Sequence, residues 1–182
     1  MSLYQIKTEE EPVRKERKSC QNKKTTISCF KILSKISQTP FSANFKVMHM
    51  DSGFIYCLKV ITKEIIRTQG LQEQILSQIK FRTLHHQPSM QKLFTVFDDE
   101  INLYLLEEYL FGFGDFEMEF KKYRKMSERQ CGILFKQLLE FYQFLHAEEY
   151  ILRNLRMGGL VHIFDIVKIV DFSWVTQIKE RK

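Results

Sequence analysis

"YILRNLRMGGL" (Tyr150–Leu160) and, a few residues on, "VKIVDFSWV" (Val167–Val175) decide how this chain is read. The first is a loop with two adjacent glycines, Gly158 and Gly159, leading into a short apolar run, "LVHIF". A turn at Asp165 separates that run from "IVKIV", so the pair reads as two short strands, with Asp171, Phe172 and Ser173 following the second. Upstream, "SERQCGILFKQLLEFYQFLHAEE" opens with a helix-start signal at Ser127. It carries Ile133, Leu134, Leu138, Phe141 and Leu145 at helical spacing.

Working further outward, "TISCFKILSKI", "FKVMHM", "FIYCLKVIT", "KLFTVFDD" and "NLYLLEEYL" are rich in β-branched and aromatic residues and read as strands. Between the third and fourth, "GLQEQILSQIKFRTLHH" places Leu71, Ile75, Ile79 and, less regularly, Leu84 at the spacing of an amphipathic helix, which Pro88 ends. The order is five strands interrupted by one helix, then a helical segment carrying a loop and a hairpin. That is an α+β pattern.

Hydrophobic residues make up 44% of 182, with 16 phenylalanines, which argues for a globular core over a disordered chain. The formal charge of +6 has its densest basic stretch in "VRKERKSCQNKK" (Val13–Lys24), which reads as a solvated arm within a disordered tail, residues 1–25. Contact of that arm with nucleic acid is the lesser reading. The four cysteines, Cys20, Cys29, Cys57 and Cys131, show no metal-ligand or disulfide spacing. The N-terminus has no apolar core of a secretory signal, and no apolar run reaches the length of a membrane span. These features lead to the expectation of a reduced, intracellular protein, cytoplasmic or nuclear.

The order and separations of these segments resemble eukaryotic protein kinases, most closely Ser/Thr kinases of the Aurora type, over Phe30 to Val175. "YCLKVI" stands where kinases carry V-A-I-K, and "LYLLEEYL" resembles the last small-lobe strand and hinge. "FLHAEEYILRNLRMGGL" resembles the catalytic loop, and "VKIVDFSW" the strand before the D-F-G triplet. The resemblance implies a kinase-like small lobe over residues 26–110, a five-stranded antiparallel sheet with an αC helix. It implies a partial, mainly helical large lobe over residues 111–182, with αD, αE, catalytic-loop and D-F-G-like segments.

Laid on that pattern, the parts that catalyse phosphoryl transfer are largely replaced. The three glycines of the phosphate-covering loop become Ser37, Thr39 and Ser42, Pro40 removes an N–H, and Asn44 takes an apolar position beneath the adenine. Lys59 keeps the position of the lysine that contacts the phosphates, or is a solvent-facing strand lysine. The αC glutamate falls on Gln78, which can hydrogen-bond to Lys59 but cannot ion-pair with it. Cys57 narrows the adenine site. Glu107 holds the gatekeeper position and needs a cation, a donor or a proton if buried, with Lys59 one candidate partner. A shift of one residue in "LLEEY" would instead expose it.

In the catalytic loop the His-Arg-Asp triplet reads Leu152-Arg153-Asn154, so the base position lacks a carboxylate. The loop lysine becomes Arg156 and the second metal-binding asparagine becomes Gly159. Asp171 is the one retained metal ligand, a weak site by itself. Phe172, Leu152 and Leu93 are assigned to an apolar column joining the lobes. No residue is therefore expected to catalyse. Lys59, Cys57, the hinge residues Glu108 and Leu110, and Asp171 form a vestigial nucleotide pocket, with no cofactor expected and ATP and Mg²⁺ held weakly at best.

These readings converge on a catalytically inactive kinase-like domain that binds protein. The alternative left open is a degenerate Ser/Thr kinase that binds ATP through Lys59 and Asp171 and transfers phosphate slowly. Because the activation segment and later helices do not follow Asp171 within this sequence, the face of Leu134, Leu138, Phe141 and Leu145 is expected to be covered by a partner, an active kinase or a second copy.

Overall fold

The computed structural model describes residues 25–110, 126–163 and 166–178. Nearly all of the basic tail, the segment 111–125 expected to hold αD, and the turn at Asp165 lie outside the described residues.

Strands β1 (Phe30–Gln38), β2 (Ala43–His49), β3 (Ile55–Thr62), β4 (Leu93–Asp98) and β5 (Asn102–Glu108) form one antiparallel sheet in the order β1-β2-β3-β5-β4. Phe30, Val47, Leu58, Phe97, Tyr104 and Leu106 make the core on one face. On the other, Ile61, Ile75 and Leu105 pack with Ile79, Leu93 and Val96, so a helix is seated there. It is α2 (Gln72–Leu84), preceded by a single short turn, α1 (Lys63–Thr68).

The buried face of α2 differs from the expected apolar stripe. It consists of Ile75, Gln78, Phe81 and Arg82, whereas Leu84 is 62% exposed. Two polar side chains thus take places that an amphipathic helix normally gives to apolar ones.

Helix α3 (Glu128–Ala147) begins at Ser127 with a full capping box. The Gln130 N–H donates to Ser127 Oγ (3.3 Å), while the Ser127 N–H donates to Gln130 Oε1 (3.1 Å). The chain then forms β6 (Tyr150–Ile151), the hairpin β7 (Leu160–Ile163) with β8 (Ile166–Ile169), and β9 (Thr176–Gln177), which pairs with β6. This returning segment covers the α3 face expected to be open. Leu134, Phe141 and Leu145 are buried against Tyr150, Val167, Ile169, Phe172 and Val175, with Leu138 partly buried. The apolar residues that α3 exposes lie elsewhere on it, Phe135 (62%) and Leu139 (51%) among them. The chain supplies its own cover for the expected face.

The two parts are joined by backbone. Gln91 N–H donates to Ile169 O (2.9 Å) and Ile169 N–H to Ser89 O (2.7 Å), tying the α2–β4 connection to β8. No described helix is long and apolar enough to cross a membrane.

Candidate functional site

Asp171 follows β8 and is the hub of the cleft. Its side chain is 14% exposed and accepts on Oδ2 from Asn154 Nδ2 (3.0 Å) and from Arg156 Nη2 (2.8 Å) and Nε (3.3 Å). Its Oδ1 accepts from the Ser173 N–H (3.1 Å). Burial opposes ionisation, but the Arg156 guanidinium, the Ser173 N–H and nearby Lys59 outweigh it and hold the carboxyl below its usual range. Oδ2 thus carries the Arg156 guanidinium and the Asn154 amide together.

Gly159 stands directly behind this carboxylate. A Cβ built there would lie 3.2 Å from the Asp171 Cβ, so the backbone passes too close for a side chain without displacement. Among the described residues no three His, Cys, Asp or Glu side chains group as metal ligands.

Lys59 sits half-buried on β3 and donates from Nζ to Ser173 Oγ at 3.0 Å. It bonds neither Gln78 nor Glu107, the two partners weighed from sequence. Gln78 is 2% exposed and its Oε1 has no hydrogen-bond partner. The residue after Asp171 and Phe172, normally glycine, has supplied a hydroxyl in place of the missing αC carboxylate. An apolar or glycine-only view of that position conceals this contact.

The β1–β2 turn is closed on itself. Thr39 Oγ1 accepts from the N–H groups of Phe41 (3.2 Å) and Ser42 (3.0 Å), and the Thr39 N–H donates to Ser42 O (2.8 Å). The donors a glycine-rich loop would offer to phosphates are used within the loop. Asn44 Nδ2 donates to Ser37 Oγ (2.9 Å), while its buried Oδ1 has no partner.

Glu107 is buried, as its place in the sheet interior requires, and its cation is Arg82 of α2. Their side chains are 5% and 2% exposed. Arg82 also donates from Nη2 to Gln91 O (3.1 Å), and its guanidinium lies 5.1 Å from the Phe172 ring centre. Sequence reading missed Arg82 because a helical arginine is usually solvated. The available signal was its spacing of one turn from Gln78, which puts both on one face. Leu152 and Phe172 share one core, whereas Leu93 packs in another with Ile61 and Leu105, so the expected apolar column is interrupted by Arg82.

Cys57 lies opposite Glu107 in the β3–β5 register, and burial, reinforced by the Glu107 charge, pushes its thiol up to about 12. Glu108 is engaged by neighbouring groups. Its Oε2 accepts from Lys168 Nζ (3.0 Å) and the Lys92 N–H (3.1 Å), and its carbonyl accepts from Gln91 Nε2 (2.9 Å). Leu110, just past β5, is half-buried. Arg153 takes a left-handed conformation (φ 61°) and reaches α2, with Nη2 2.6 Å from Gln74 Oε1 and Nε 3.0 Å from Trp174 O. The structure thus gathers Lys59, Ser173, Asp171, Asn154 and Arg156, and leaves Glu108 and Arg153 on other duties.

Comparison with known proteins agrees with this architecture. The protein kinase domain family matches residues 30–182. The chain is similar to an Aurora kinase of Saccharomyces cerevisiae, 24% identical over 168 residues, covering 92% of this chain and 46% of that protein. It is similar to Aurora kinase C of Mus musculus, 25% identical over 150 residues, covering 82% of this chain and 54% of that protein. A serine/threonine-protein kinase of Saccharomyces cerevisiae is 28% identical over 168 residues, 90% of this chain and 15% of that protein. The chain spans about half the length of these Aurora kinases. With its five-stranded sheet, seated helix and catalytic-loop outline in place, the chain belongs to the protein kinase domain family.

Proposed function

We propose that this domain is a pseudokinase, a member of the family that works by binding protein and transfers no phosphate. The observation that carries the reading is the state of Asp171, whose Oδ2 is taken by Arg156 and Asn154. The residues present do not fit Mg²⁺-bound ATP. The retained carboxylate is internally neutralised, Gly159 offers no ligand, the β1–β2 turn has used its donors, and Lys59 is engaged by Ser173. Asn154 at the base position removes a group whose loss costs about 10²–10⁴-fold in rate.

The partner proposed is another protein, an active kinase or a second copy of this chain. Free Cys29, Cys57 and Cys131 suit a reducing compartment, cytoplasm or nucleus.

The specific observation favouring weak ATP-dependent Ser/Thr kinase activity is that Lys59 and Asp171 still share one cleft, close enough for Lys59 to lower the Asp171 pKa. Thermal unfolding with ATP, with and without Mg²⁺, separates the readings. A ligand at 100 times its Kd adds about 2.7 kcal/mol, or about 5–10 °C for a domain of this size. No shift is expected. A Mg²⁺-dependent shift of several degrees would sink the pseudokinase reading.

A further inference from the structure

We infer that helix α2 is fastened to the sheet by the buried Arg82–Glu107 pair, which replaces the β3–α2 ion pair of protein kinases and needs no nucleotide. In a working kinase the β3 lysine and αC glutamate must meet for the site to assemble. Here that link is unmade, since Lys59 turns to Ser173 and Gln78 Oε1 is left without a partner. One turn later on the same face, a single guanidinium makes three attachments instead. It pairs with Glu107 on β5, donates to the Gln91 carbonyl ahead of β4, and lies over the Phe172 ring. A planar fork with fixed donor directions suits this work, and a lysine would not.

The other end of α2 has its own fastening. Gln74 Nε2 donates to Val175 O (3.1 Å) and Gln74 Oε1 accepts from Arg153 (2.6 Å). Neither end depends on Lys59. An apolar pair of similar volume often gives equal stability, so the role assigned to this pair is the position of α2 rather than the stability of the fold. The docked position of α2 is therefore built in, whether or not the domain transfers phosphate.

Hydrogen exchange of the full chain tests this. The Lys59→Met variant should leave α2 amide exchange unchanged. The Arg82→Met/Glu107→Leu double variant should speed α2 exchange about tenfold while β3 amides keep their protection. Faster α2 exchange in Lys59→Met would overturn the inference, because the helix would still hang on β3. So would unchanged α2 exchange in the double variant. Loss of β3 protection along with α2 also counts against it, since the pair would then hold the core and not the helix.

Discussion

Replacing Arg82 with methionine isolates the energetic weight of one buried charge. Methionine fills the space of the arginine stem but leaves the Glu107 carboxylate, 5% exposed, without its cation. Breaking a buried pair from one side costs about 3–5 kcal/mol. The lost bond to Gln91 O (3.1 Å) and the Phe172 contact belong to the same network, so their contributions overlap with that figure. Against a total stability of about 5–15 kcal/mol, a loss of about 4 is a large fraction. With a urea slope of about 2 kcal/mol/M, the unfolding midpoint falls by about 2 M. The Arg82→Met/Glu107→Leu variant leaves no stranded charge and should return to within about 1 kcal/mol of the parent. Urea titration followed by far-UV circular dichroism reads both. The reasoning is refuted if the single variant loses less than about 1 kcal/mol, or if the double variant is as unstable as the single, since the cost would then lie in packing.

Asp171→Asn removes the carboxylate that Arg156 and Ser173 hold ionised. Because the folded pKa lies below the unfolded value of about 3.9, the stabilisation is present above that pH and lost as pH falls through the folded pKa. The variant should be less stable by about 2 kcal/mol at pH 7, with the gap narrowing as pH falls below the unfolded carboxylate pKa of about 3.9; a gap that widens in acid contradicts it. Gly159→Asn alone should recover no transfer and should destabilise by about 1–3 kcal/mol, because its Cβ meets Asp171. An undiminished melting temperature would show that the backbone yields there. On α3, Phe141→Ala should cost about 3–5 kcal/mol and Leu139→Glu less than about 0.5, the order set by their 2% and 51% exposure. Equal losses would mean that the helix is seated on a different face.

The fold was legible wherever local chemistry and burial agree. β3 and β5 announce themselves through runs such as "IYCLKVIT" and "NLYLLEE", and Ser127 with Gln130 marks the start of α3. Legibility failed at α2, whose buried face contains Gln78 and Arg82, so the apolar spacing pointed to Leu84, which is exposed. The two-residue strands β6 and β9 carry no periodic signal, and that Val167, Ile169, Phe172 and Val175 fold back over α3 is a long-range contact the local pattern does not contain. Within the cleft, the losses at Asn154 and Gly159 are visible residue by residue. The compensations are not, because Ser173 meeting Lys59 and Arg82 meeting Glu107 are contacts across 114 and 25 residues of chain. The requirement that buried Glu107 find a cation was derivable; the identity of the cation needed the fold.

In the proposed pseudokinase, the charges needed to handle a magnesium-bound triphosphate are satisfied inside the protein. Incubation of the purified domain with γ-labelled ATP, Mg²⁺ and a general protein acceptor, alongside its Lys59→Met variant, measures this most directly. Label at the level of the protein-free control is expected for both. Incorporation well above that control in the parent, and lost in Lys59→Met, contradicts it.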